Sequence, residues 1–131
     1  MPPVSEHMSA NLLTVSATTP VGEAAKEMDE RSVGAVLVLG DGAGALEGVF
    51  TERDVLRAVA RGQVDGATVG DFMTPHPETI EPDDTTEHAA VLMIHGGFRH
   101  LPVVEGGKVL GILSIRDLMR AVLDDAAPRG V

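Results

Sequence analysis

The sequence predicts an α/β fold made of two tandem βαββα-type repeats, related by a pseudo-two-fold and packed through their sheets. Three observations predict it. First, Gly48-Val49-Phe50-Thr51-Glu52-Arg53-Asp54-Val55-Leu56-Arg57 recurs as Gly111-Ile112-Leu113-Ser114-Ile115-Arg116-Asp117-Leu118-Met119-Arg120. Second, an upstream echo runs at a slightly different spacing: Met8-Ser9 answers Met73-Thr74, Thr14-Val15 answers Thr79-Ile80, and Ala24-Ala25-x-x-Met28 answers Ala89-Ala90-x-x-Met93. Third, short continuous apolar runs alternate with stretches of helical period, the mark of buried strands between helices. A repeated supersecondary unit buries its apolar face poorly alone, so two copies pack together and create a shared cleft.

The elements follow in order. Residues 1–12 read as a lead-in segment and 8–61 as the first repeat. Pro20 suits a first helical position, and Val21, Ala24, Ala25 and Met28 fall at i, i+3, i+4 and i+7. Val36-Leu37-Val38-Leu39 is too short for a helix and too apolar for a surface strand. Gly40-Asp41-Gly42-Ala43-Gly44 is a turn, Leu46 to Phe50 a second strand, and Asp54 to Arg61 a helix with Val55, Leu56 and Val59 inward. Residues 62–70 link the halves, and 71–125 form the second repeat. Its helix lies near Thr85 to His95, its strands at Leu101 to Val104 and Val109 to Leu113, and its last helix from Asp117 to about Asp125. Residues 126–131 read as a tail.

Composition excludes several functions. The chain has 131 residues, a formal net charge of −10, no cysteine, no tryptophan or tyrosine and three phenylalanines. Such a charge opposes phosphate neutralisation and the missing aromatics remove stacking platforms, so nucleic acid is not an expected partner. Without cysteine there are no disulfides, thiolate nucleophiles or thiolate metal sites. No run approaches the ~20 apolar residues of a bilayer span, and no signal peptide is recognisable; a cytoplasmic location is expected. His88 and His95 stand two helical turns apart, wrong for a chelating pair, and no metal site is expected. No nucleophile–base pair or P-loop is present, so the chain is expected not to be an enzyme and no catalytic residue is assigned. The methionines read mainly as core filler, with Met28 and Met93 as candidates for a helical dimer surface.

The repeated motif carries the chemistry. Thr51-x-x-Asp54 and Ser114-x-x-Asp117 sit where a strand ends and a helix begins. One reading is a capping box, which stabilises by roughly 1 kcal/mol and needs no ligand. The other is a nucleotide site. Each box encloses an arginine, Arg53 or Arg116, for which a cap has no use, and each helix N-terminus faces the carboxyl end of a strand, where N–H groups suit phosphate. An aspartate one turn in can accept from two ribose hydroxyls.

The whole pattern resembles a pair of cystathionine-β-synthase-type (CBS) domains, a Bateman module. The resemblance rests on Gly48 to Asp54, Gly111 to Asp117, Val33 to Val38, Arg99 to Val104 and the Val69-to-Pro75 opening of the second repeat. It implies an adenosine-containing regulatory ligand: AMP, ADP or ATP, with S-adenosylmethionine or NAD as further members of the class. In the second-repeat site Asp117 would hold the ribose, Ser114, Arg116, Arg99 and His100 would meet phosphate, and Thr79-Ile80 with Leu101-Pro102 would frame the base. In the first-repeat site the same roles fall to Asp54, to Thr51 and Arg53, and to Thr14-Val15 with Ala35-Val36. Arginines at the phosphate end favour phosphate over a cationic sulfonium. The resemblance also implies a homodimer and an effector protein that reads ligand occupancy. The alternative is a ligand-free dimerisation scaffold with vestigial cavities.

Overall fold

The computed structural model describes residues 2–40 and 44–126 and divides into two compact units. Thus Asp41 to Ala43 of the expected turn and residues 127–131 of the expected tail lie outside the described residues. One unit is Leu12–Pro77; the other joins Met1–Asn11 to Glu78–Val131.

In the Leu12–Pro77 unit, the apolar run forms β2 (Ala35–Leu39), buried along almost its whole length, as its lack of polar alternation requires. It pairs in parallel with β1 (Thr14–Val15) and antiparallel with β3 (Leu46–Thr51). A fourth strand, β4 (Thr74–Pro75), pairs antiparallel with β3 and completes the order β1-β2-β3-β4. Helix α1 (Val21–Arg31) places Val21, Ala24 and Met28 in the core and stops at Ser32, which takes the left-handed conformation (φ 54°). Helix α2 (Glu52–Ala60) follows β3 without a loop, and the short α3 (Val69–Phe72) adds buried Val69 and Phe72. Leu13, Val36, Val38, Phe50 and Ala58 complete an aliphatic core with these residues.

The other unit repeats the plan. Helix α4 (Thr86–Gly96) ends at Gly97 with φ 71°, and the hairpin β5 (His100–Glu105) and β6 (Lys108–Ser114) leads directly into α5 (Ile115–Ala126). Ile80 bridges Val103 in parallel, as Val15 pairs with Val38. Even the irregularities match: the hairpin registers shift at Val38/Leu39 and at Val103/Val104. Leu101, Val103, Leu113, Ala89 and Met93 form its core, together with Val4 from the lead-in segment.

The lead-in residues exchange places relative to the repeat order. Ser9 and Ile112 each donate a backbone N–H to the other's carbonyl, at 2.9 and 3.0 Å, and Val4 N–H donates to Asp84 O at 2.8 Å. Thr74 and Pro75, which open the second sequence repeat, pair instead with Val49 and Gly48 of the first. This close approach explains the glycine heading each motif. A Cβ on Gly48 would stand 2.7 Å from Met73 Sδ and 2.8 Å from Thr74 O; one on Gly111 would stand 2.7 Å from Met8 Sδ and 2.8 Å from Ser9 O.

Two expectations about side-chain direction are corrected. Leu56 and Val59 point outward, 65% and 57% exposed, while Asp54, Val55 and Ala58 face in. The inward Asp54 of the cap sets the helix's rotation, and residues two and five positions later then lie on the opposite face. Met28 and Met93 sit in the two cores, 5% and 3% exposed, so neither lies on a dimer surface.

Candidate functional site

The two Asp-containing turns have the same backbone and different surroundings. At the start of α2, Thr51 N–H and Thr51 Oγ1–H both donate to Asp54 Oδ2, at 2.8 and 3.2 Å. At the start of α5, Ser114 N–H and Ser114 Oγ–H donate to Asp117 Oδ2 at 2.7 and 2.9 Å, and Asp117 N–H returns a bond to Ser114 Oγ at 3.1 Å. Both are capping boxes. A third, which the sequence reading missed, joins Thr68 to Asp71 with the same geometry ahead of α3. The box is therefore a recurring device of helix initiation, and ligand chemistry depends on what surrounds it.

The surroundings diverge at the second carboxylate oxygen. Asp54 is 4% exposed, and its Oδ1 accepts from Arg57 Nη1 at 3.3 Å, the one ion pair among the described residues. Asp117 is half-buried; Arg120 occupies the position equivalent to Arg57, but no such pair forms among the described residues. The start of each helix is also tied to the residue preceding the neighbouring strand. Glu52 N–H donates to Gly34 O at 3.0 Å and Ile115 N–H to Arg99 O at 2.8 Å. This bond seats the exposed Arg99 beside the first turn of α5, next to Ser114, Arg116 and Asp117. At the matching place in the other unit, the Glu52 carboxylate lies about 3.4 Å from where a Cβ on Gly34 would be. One turn thus gathers two arginines, and the other has an acid and a glycine beside Arg53.

The strands sort the remaining candidates. Side chains alternate across a strand. Val36 and Leu101 consequently point into their cores, fully buried, and Ile80 joins them at 3% exposure. The backbone of Ile80 is also engaged: its N–H donates to Pro102 O at 3.0 Å, and its carbonyl accepts from Val104 N–H at 2.8 Å. The opposite faces of the same strands are covered too, leaving Ala35 at 8% and Pro102 below 2%. The side chains of these five residues are buried. Thr14, Thr79, Arg53, Arg99 and Arg116 are exposed, and Val15, Thr51, His100 and Ser114 are half-buried. Among the described residues no group of three or more His, Asp or Glu side chains is arranged to hold a metal.

Comparison with known proteins bears on what such turns belong to. CBS domain-containing protein YhcV of Bacillus subtilis (strain 168) is 33% identical over 119 residues, covering 90% of this chain and 84% of that protein. A protein with CBS domains from Burkholderia ambifaria MC40-6 superposes with a TM-score of 0.87 at 32% identity, over 99% of this chain and all of that one. CBSX2 of Arabidopsis thaliana, solved in complex with AMP, superposes at 0.83 with 32% identity over 97% of this chain and all of that one. Other curated relatives are longer, and the chain spans between 19% and 53% of several of them. The family model for the CBS domain matches twice, at residues 4–61 and 69–124, each match taking in one strand–cap–helix turn and its aspartate, and the chain therefore belongs to the CBS-domain family as a pair of CBS repeats.

Proposed function

We propose that this chain is a regulatory module that binds an adenosine-containing ligand, with AMP, ADP or ATP favoured, at the turn built around Asp117. One observation carries the choice of turn. Asp117 keeps Oδ1 outside its cap in a turn whose backbone also carries Arg116 and is bonded to Arg99, whereas Asp54 is buried and bridged by Arg57 in a turn that has Glu52 beside Arg53 and is bonded to Gly34. The first turn offers an anionic phosphate an excess of positive charge; in the second, Asp54 and Glu52 offset Arg57 and Arg53. Ser114 and the start of α5 supply further polar contacts for it. The AMP complex of CBSX2 supports the ligand class. The ligand acts by its differential affinity for two arrangements of the protein, and an effector protein reads the change. The module works as a homodimer, in the cytoplasm, without a catalytic step of its own.

An AMP-sized ligand at ~0.3 kcal/mol per heavy atom gains ~7 kcal/mol, a Kd near 10 µM. Titration calorimetry with AMP, ADP, ATP and S-adenosylmethionine tests the reading. Asp117→Ala removes charge-assisted hydrogen bonds worth about 1.5–3 kcal/mol each and weakens binding by about ten-fold or more. Arg99→Ala weakens phosphate-bearing ligands and spares S-adenosylmethionine. Unchanged affinity in Asp117→Ala would remove the site from this turn. The second reading, a ligand-free scaffold, draws on the Thr68–Asp71 box, which shows that this geometry arises for helix capping alone. It is supported if no nucleotide raises the melting temperature while Asp117→Ala still lowers it.

A further inference from the structure

The segment that joins the two sequence repeats borders a cavity of about 510 Å³ within the Leu12–Pro77 unit, a volume in the range of small-molecule sites. Phe72, itself 6% exposed, and Ala67 supply the apolar part of its wall, and Arg61, Gln63, Asp65 and Asp71 stand exposed around it. The charges of this lining do not neutralise one another. Arg61 holds its guanidinium carbon 5.8 Å from the centroid of the Phe72 ring, and among the described residues it forms no ion pair with either carboxylate. Asp71 commits Oδ2 to the Thr68 cap and leaves Oδ1 unbonded, while the Asp65 side chain makes no hydrogen bond to the described residues. Where this half has Arg61, Asp71 and Phe72, the matching positions of the other repeat hold Asp124, Glu6 and His7. The pairing of guanidinium and ring therefore belongs to one half alone.

We infer that this cavity binds a basic α-amino acid, lysine or arginine in type, with its carboxylate at Arg61 and its two cationic groups at Asp65 and Asp71. The site stands apart from the nucleotide reading, whose turn lies in the other unit. The balance of charge selects the class. Two carboxylates and one guanidinium are complemented by two cations and one carboxylate. A nucleotide phosphate adds negative charge to a lining that already carries an excess of it. A plain diamine sets a cation against Arg61, and an acidic amino acid sets a carboxylate against Asp65 or Asp71. Two carboxylates fall short of a metal's ligand set, and among the described residues no three His, Asp or Glu side chains are arranged to hold one. Helix α2 ends at Arg61, and the negative end of its dipole adds to the preference for cations. The ligand's methylene stem lies against Phe72 and Ala67 while its charged ends reach the polar groups. The ring also restrains Arg61 in advance, which lowers the cost of ordering it on binding.

Titrating the isotope-labelled full-length chain with L-lysine or L-arginine, followed by NMR, tests the site. The backbone amides of Gly62, Gly66 and Phe72 shift and saturate with either ligand. L-Norleucine lacks the second cation and cadaverine lacks the carboxylate, so each binds about ten-fold more weakly, the loss of one charged contact. Asp65 is exposed and unbonded, so Asp65→Asn keeps the native circular dichroism while weakening L-lysine by about ten-fold. Arg61→Gln weakens L-lysine to a similar degree and does not weaken cadaverine, which has no carboxylate to lose. Amides at 62–72 that ignore L-lysine would overturn the inference. So would a response to cadaverine as strong as that to L-lysine, which reports only the general attraction of cations to an acidic chain, or a response that survives Asp65→Asn. A chain that binds L-lysine here and ignores every nucleotide keeps this site and removes the reading at Asp117 instead.

Discussion

At matching positions the two repeats share their buried residues and diverge at their surfaces. Phe50 and Leu113 fill the two cores; Gly48 and Gly111 admit the two lead-in strands; Thr51–Asp54 and Ser114–Asp117 cap the two helices. Outward, Lys26 and Asp29 face Val91 and Ile94 in the alignment, Gly34 faces Arg99, and Glu52 faces Ile115. Duplication preserved what the fold needs in each half and released what it does not. The chemistry of the protein is therefore to be sought where the repeats disagree. Asp54 and Asp117, the residues most alike in sequence, are informative chiefly because their neighbours differ.

Paired substitutions at matching positions test how far the two halves differ. The largest effects belong to the cores: Phe50→Ala costs about 3–5 kcal/mol and Leu113→Ala about 2–5, read by urea unfolding. If each unit holds its own core, each substitution first removes hydrogen-exchange protection within its own unit. Next come the glycines. Gly48→Ala and Gly111→Ala each press a Cβ against a backbone carbonyl that cannot rotate away, at about 1–3 kcal/mol apiece. Tolerance of one and not the other would show that the two lead-in strands are held differently. A cap is worth less: Ser114→Ala lowers stability by about 0.5–2 kcal/mol in thermal unfolding, with Thr51→Ala in the same range. Smallest is the ion pair. Arg57→Ala costs about 0.2–0.5 kcal/mol, because Arg57 is half exposed and the pair is local, and Arg120→Ala costs nothing measurable in the monomeric unit. An equal loss at both arginines would erase the difference drawn between Asp54 and Asp117.

Much of the fold was legible because its signals are local. The apolar run at Val36–Leu39, the helical spacing of Val21, Ala24 and Met28, and the S/T-x-x-D boxes each report the conformation of their own few residues. Distant pairings left no such mark. Nothing in Met8-Ser9 says that it pairs beside Ile112, and the repeat order suggested the opposite. The outward turn of Leu56 and Val59 was hidden because helical periodicity identifies an apolar face without saying whether core or partner covers it. At the site, the polar residues were readable from the motif. The near-complete burial of Ala35, Ile80 and Pro102 was not, because it depends on which layer covers each face of a strand. The Arg57 bridge was hidden too, since the sequence places an arginine at the same step after both aspartates.

The exchange of lead-in segments also orders events in time. Residues 12–77 are contiguous and leave the ribosome with every strand of their sheet, so this unit can close while synthesis continues. The segment from Val4 to Ser9 has no such opportunity. Its partners, Asp84 for Val4 and Ile112 for Ser9, arrive 80 and 103 residues later, about 4–20 s at translation rates of about 5–20 residues per second. Until then the side chain of Val4, fully buried in the finished protein, remains in solvent. The segment from Val4 to Ser9 is thus made before residues 12–77 and seated after them.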